Sequence, residues 1–207
     1  MACAQPTMYL MISDVLKPAV TRIISPVARF FLRIGLTPNL VTAIGALCVV
    51  GSSLYFFPQG EFFVGTLVIS VFMLSDLFDG AMARISSQGA SKWGGFLDST
   101  VDRISDSSIL LAVSIYLIDR NDQLSIVYLV AVITGMLIPY IRAKAESMSI
   151  ECSGGIAERT ERAIIVLVGT GLHGLGVSYS LAIGAWLLAI LGLITTCQRL
   201  LIVKRAI

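Results

Sequence analysis

Six apolar stretches, each of about 20 residues and separated by short polar segments, restrict this chain to a narrow class of folds. They begin near residues 39, 62, 94, 124, 158 and 180 and end near residues 57, 83, 118, 141, 171–176 and 202. At a helical rise of ~1.5 Å per residue, each is long enough to cross a hydrocarbon core of ~30 Å. In that core the backbone has to satisfy its own hydrogen bonds, which favours helices. Composition agrees with this reading, since 56% of the 207 residues are hydrophobic and only 14% are charged. The expected fold is an all-α integral membrane protein with six transmembrane helices. No internal repeat or broken span is evident.

Residues 9–35 follow a different pattern. Leu16, Val20, Ile23, Ile24, Val27, Phe30, Phe31 and Ile34 recur at three- and four-residue steps, with Lys17, Arg22, Arg29 and Arg33 between them. An apolar stripe opposed by a cationic face suits a helix lying in the membrane interface. Pro26 implies a kink or break in it. Residues 1–8 read as disordered, and Asp14, Lys17 and Pro18 interrupt any leader-like apolar run. The expected organisation is an N-terminal segment over residues 1–36 and a membrane domain over residues 37–207.

With Arg103 and Arg199 counted at their nearer ends, fourteen of the fifteen Lys and Arg residues fall in the N-terminal segment, the loop between the second and third spans, the region between the fourth and fifth, or the C-terminal end. Only Arg120 falls on the other side. The positive-inside rule then puts both termini and the aspartate-bearing helix ends at the cytoplasmic face of the cell membrane. A net charge of +2 gives no reason to expect a nucleic-acid partner. Cys3, Cys48, Cys152 and Cys197 lack the close spacing of a zinc site or a disulfide framework.

Against this apolar background, Asp76, Asp79, Asp98, Asp102 and Asp106 stand out. Carboxylates at membrane depth are costly and mark functional sites. Asp76 and Asp79 are three apart, while Asp98, Asp102 and Asp106 step by four, so each set shares one helix face. A short loop joins the two helices and makes them antiparallel neighbours, so the acidic faces converge. Four such carboxylates need a counter-charge. All-oxygen ligands favour Mg²⁺ or Mn²⁺, and two ions of this kind suit phosphoryl transfer. Gly80, Ala83, Gly94 and Gly95 leave room for close approach, and Arg84 can meet a phosphate. Two other readings stay open on the residues alone. The aspartates can pair structurally with Arg84, Arg103, Arg142, Arg162 or Arg199, or they can form a cation-transport site.

The ordered spacing Asp76-x-x-Asp79-Gly80-x-x-Ala83-Arg84, then Gly94-x-x-x-Asp98-x-x-x-Asp102, resembles the signature of the CDP-alcohol phosphotransferases. The resemblance implies transfer of a substituted phosphate from a CDP-alcohol to a second alcohol, with release of CMP. It implies that Asp76, Asp79, Asp98 and Asp102 bind two divalent cations, and that Asp102 is also the general base. It places Gly80 and Arg84 at the CDP moiety, together with Asn39, Leu40, Val41 and Thr42 at the start of the first span and Ser91 in the connecting loop. A homodimer is also implied.

The acceptor has to be read elsewhere. Arg142 and Lys144 end the fourth span, Arg159 and Arg162 begin the fifth, and Arg199 lies within the sixth. Cations gathered near an acidic site suggest a phosphorylated acceptor. Positive-inside topology alone accounts for part of this set, though not for Arg199, which has apolar helix on both sides. The segments Pro139–Glu146, Gly154–Arg162, Cys197–Leu200, Arg29–Pro38 and Asp98–Asp106 resemble the actinobacterial phosphatidylinositol-phosphate synthase branch of the family. That branch joins CDP-diacylglycerol to inositol 1-phosphate. The resemblance assigns Arg142, Arg162 and Arg199, with Lys144 and Arg159, to the inositol phosphate. The runner-up is a phosphatidylglycerophosphate synthase using glycerol 3-phosphate.

Overall fold

The computed structural model describes residues 25–85, 91–152 and 154–207. Among these there is no strand, and residues 25–33 are helical. The remaining helices are α1 (Pro38–Phe56), α2 (Phe62–Met73), α3 (Ser75–Ile85), α4 (Lys92–Asp119), α5 (Leu124–Ser147), α6 (Arg159–Gly174) and α7 (Ser180–Ala206). The expected interfacial helix is represented only by residues 25–33, because residues 9–24 lie outside the described residues, as do residues 1–8.

Local chemistry sets the helix starts. Thr37 accepts the Leu40 backbone N–H at 3.3 Å, and Pro38, with no N–H to satisfy, opens α1. Ser91 caps α4 in the same way, accepting the Gly94 N–H at 2.9 Å. The turn between α1 and α2 passes through Gly60 at φ +84°, a conformation that costs glycine little.

Four of the six expected spans are helical stretches long and apolar enough to cross a membrane: α1, the α2–α3 pair, α5 and α7. The other two coincide with α4 and α6. The first half of α4 carries Lys92, Asp98, Asp102, Arg103 and Asp106, and α6 has only 16 residues. The second span also departs from the unbroken helix expected, since it is interrupted at Leu74. Just before the break, the Ser70 hydroxyl donates to the Thr66 carbonyl at 2.7 Å, a back-bond that bends helices.

The chain forms two compact units. The first contains the described residues up to Gly45 together with those of Leu74–Ser99. Its small core consists of Ala28, Val41, Ala81 and Met82, flanked by Phe31, Leu32, Leu36 and Phe78. The second contains Ala46–Met73 and Thr100–Ile207. In it α7 packs against α5 and α6, and α6 against α2. Small residues permit this closeness. A Cβ on Gly192 would lie 2.4 Å from Thr134 Oγ1, and one on Gly174 would lie 2.2 Å from the Phe63 backbone nitrogen. Buried hydroxyls bond across these helices, as Thr66 does with Thr170 at 2.8 Å.

Candidate active site

In the first unit, α3 turns Asp76 and Asp79 to one face, and Asp98 lies near the start of α4. Carboxylate oxygens of Asp76 and Asp98 lie within 4.8 Å of each other. Asp79 is buried, and its carboxylate accepts a hydrogen bond from the Thr42 hydroxyl. Gly94 is needed for close packing: a Cβ there would stand 2.9 Å from Asn39 Oδ1 and 3.1 Å from Ser91 Oγ. At Gly80 the nearest atom to an added Cβ is an Arg84 nitrogen at 3.6 Å. Thr42, Asn39, Ser91, Gly80 and Arg84 therefore gather around the motif. Leu40 is exposed and Val41 is buried in the unit's core, so their side chains do not join that group.

Asp102 stands one turn beyond Asp98 on the same unbroken helix. In the second unit its carboxylate meets Arg159 Nη2 at 2.6 Å and Arg103 Nη2 at 3.6 Å. Asp106 lies 3.5 Å from Arg159 Nε. Arg159, expected only at the acceptor, is thus the ion-pair partner of both aspartates. Little in the sequence points to this pairing. The residues are more than 50 positions apart, and a cation at the first position of a helix works against the helix dipole. The tertiary carboxylate partners offset that cost, together with Glu161 in the same first turn.

The other expected acceptor residues have partners of their own, although Arg162 lies within electrostatic reach of Arg159 and Arg199, and Arg199 within reach of Arg142. Arg142 pairs with Glu146 at 2.8 Å on the exposed side of α5, and Lys144 is exposed. Arg162 donates to the Ala157 carbonyl at 3.2 Å. It also lines a cavity of ≈ 30 Å³ with Arg103, Asp106 and Ser107, which is room for about two waters. Arg199 is only 4% exposed and clamps two carbonyls, with Nε to Gly154 at 3.1 Å and Nη1 to Ile138 at 2.7 Å. Beside it, the Ala157 N–H donates to Thr195 Oγ1 at 3.2 Å. Gly155, at φ +142°, lies so close that a Cβ would be 2.5 Å from Thr195 Cγ2. Arg199 and Thr195 therefore tie the α5–α6 loop down onto α7.

A carboxylate set with only oxygen donors fits hard divalent cations. The family profile for CDP-alcohol phosphatidyltransferase matches residues 35–198. The chain belongs to the CDP-alcohol phosphatidyltransferase family. Among relatives within it, a Mycobacterium tuberculosis phosphatidylinositol phosphate synthase is 40% identical over 191 residues, covering 89% of this chain and 87% of its own. The Streptomyces avermitilis protein of the same name is 38% identical over 194 residues, covering 89% and 79%. The crystal structure of the Mycobacterium tuberculosis synthase with CDP-DAG bound matches at a TM-score of 0.84 and 41% identity, over 88% of this chain and 94% of that one. Its complex with manganese and citrate matches at 0.83 and 40% identity, over 87% and 88%. Membership of this transferase family makes the chain an enzyme and displaces the cation-transport reading. The absence of a broken span, which had also counted against transport, does not hold.

Proposed function

We propose that this transferase is a phosphatidylinositol-phosphate synthase, moving the phosphatidyl group of CDP-diacylglycerol to inositol 1-phosphate and releasing CMP. The single observation that favours a phosphorylated acceptor is the placement of Asp102 between Arg103 and Arg159. A base flanked by guanidinium groups suits a hydroxyl donor that also carries a phosphate. The names of the relatives favour inositol 1-phosphate among such acceptors.

Asp76, Asp79, Asp98 and Asp102 are the residues to hold two divalent cations, Mg²⁺ or Mn²⁺. Such ions, when bound, neutralise a pyrophosphate and polarise its phosphorus. Thr42 fixes the Asp79 carboxylate, and Asn39, Leu40, Val41, Gly80, Arg84 and Ser91 form the nucleotide end of the site. Leu40 and Val41 contribute through their backbone. Asp102 takes the proton from the acceptor hydroxyl. The hydroxyl oxygen then bonds to the β-phosphorus, the bond from that phosphorus to the bridging oxygen breaks, and CMP leaves with the electron pair. Arg142, Lys144, Arg159, Arg162 and Arg199 form the acceptor end. Arg199 acts there through the loop it clamps, as well as by its charge.

In this reading α4 and α6 complete six spans, with the N-terminal segment over residues 1–36 in the interface and residues 37–207 as the membrane domain. Both termini and the site face the cytoplasm, and the active form is a homodimer. CMP release from CDP-diacylglycerol, compared across inositol 1-phosphate, glycerol 3-phosphate and free inositol, tests the assignment. Preference for glycerol 3-phosphate would make the protein a phosphatidylglycerophosphate synthase instead.

A further inference from the structure

Asp106 lies one turn beyond the motif, and the transfer reaction gives it no task. Its surroundings in the second unit are specific. Its Oδ2 is 3.5 Å from Arg159 Nε, while Nη2 of the same guanidinium is 2.6 Å from Asp102 Oδ1. Arg159 opens α6, where the helix dipole disfavours a cation. Arg103 and Arg162 are also within electrostatic reach of Asp106. Three guanidinium groups therefore share two carboxylates, and their mutual repulsion acts to expel Arg159. A guanidinium is a rigid planar fork. The Asp106 carboxylate faces the Nε edge of Arg159 at ion-pair distance without closing a hydrogen bond there, and so adds a second electrostatic restraint to the contact at Nη2.

We propose that Asp106 is a positioning residue for acceptor recognition. Its charge beside the Nε edge draws the Arg159 guanidinium toward Asp102, so that the acceptor's phosphate is met directly beside the carboxylate that takes the acceptor's proton. The five N–H donors of a guanidinium allow it to serve carboxylates and a phosphate together. This inference rests on the proposed function, and it applies to any phosphate monoester acceptor.

The test uses the full-length enzyme in proteoliposomes containing CDP-diacylglycerol, with inositol 1-phosphate and glycerol 3-phosphate as acceptors. D106N raises the acceptor KM about fivefold, the scale of a lost ion pair. It leaves kcat and the KM for CDP-diacylglycerol within about twofold. D106E, which keeps the charge, brings the acceptor KM back toward that of the unaltered enzyme. In an R159Q background, D106N adds nothing further. An unchanged acceptor KM, an equal rise for both substrates, or the same fold-change with Arg159 already replaced would each overturn the inference. If D106N does not accumulate as folded protein, D106S decides the same point. If the unaltered enzyme uses glycerol 3-phosphate rather than inositol 1-phosphate, the proposed function fails, and the variants' KM for glycerol 3-phosphate still decides the role of Asp106. Preference for free inositol would overturn both.

Discussion

Replacing Arg199 with alanine separates a clamp from a bystander. The guanidinium is buried and donates to two backbone carbonyls, Gly154 in the α5–α6 loop and Ile138 within α5. Hydrogen bonds from a charged donor contribute ~1.5–3 kcal/mol each, so losing both costs at least about 3 kcal/mol. If all of that cost fell on acceptor binding, KM would rise by about 10²-fold. Some of it will instead appear as loosening of the loop, which links the Arg142–Lys144 end of α5 to Arg159 and Arg162 on α6. The expected result for R199A is an acceptor KM raised between about tenfold and 10²-fold. Cleavage within residues 149–157 by added protease should be faster, and the KM for CDP-diacylglycerol little changed. R199K should fall between R199A and the unaltered enzyme, because an ammonium lacks the planar fork that reaches two carbonyls. An acceptor KM within about twofold of the unaltered enzyme, together with unchanged proteolysis, would refute the clamp.

Other perturbations address the first unit and the base. Asp102→Asn should abolish turnover while CDP-diacylglycerol still binds, and turnover close to normal would remove Asp102 from the role of base. Thr42→Val deletes the hydroxyl that bonds Asp79, so the Mg²⁺ or Mn²⁺ concentration for half-maximal activity should rise about tenfold or more, and an unchanged titration would count against it. Chelation should stop turnover, with either cation restoring it. Gly94→Ala places a Cβ 2.9 Å from Asn39 Oδ1, so the Asn39 amide must shift by about half an ångström to reach ordinary contact. The KM for CDP-diacylglycerol should then rise about tenfold, while that for the acceptor stays level.

The helices and much of the nucleotide end were legible in the residues. Thr37-Pro38-Asn39 starts α1 as its capping chemistry dictates, and Ser91 caps α4. The Asp76–Asp79 and Asp98–Asp102 spacings place carboxylates on shared faces because helical periodicity is local. The expected second span was less accurate. Its apolar run reads as continuous, yet the helix is interrupted at Leu74, one turn after the Ser70 back-bond, and hydropathy averages over such a local feature. The charges in α4 and the shortness of α6 were visible in the sequence but were outweighed by their apolar neighbours.

Sequence by itself determined the class of fold, the acidic motif and the family, because hydrophobic periodicity and i, i+3 or i, i+4 spacing are properties of contiguous residues. Tertiary structure decided how the arginines divide. Arg159 pairs with Asp102 and Asp106, Arg142 pairs with Glu146, and Arg199 closes on two backbone carbonyls. Arg142 meets Glu146 at i, i+4, a pairing the sequence allows, but nothing in the sequence neighbourhood of Arg159 or Arg199 says whether its guanidinium meets a carboxylate, a carbonyl or a phosphate. Packing fixes it, by determining which acceptor lies within reach and which charge would otherwise be buried without compensation.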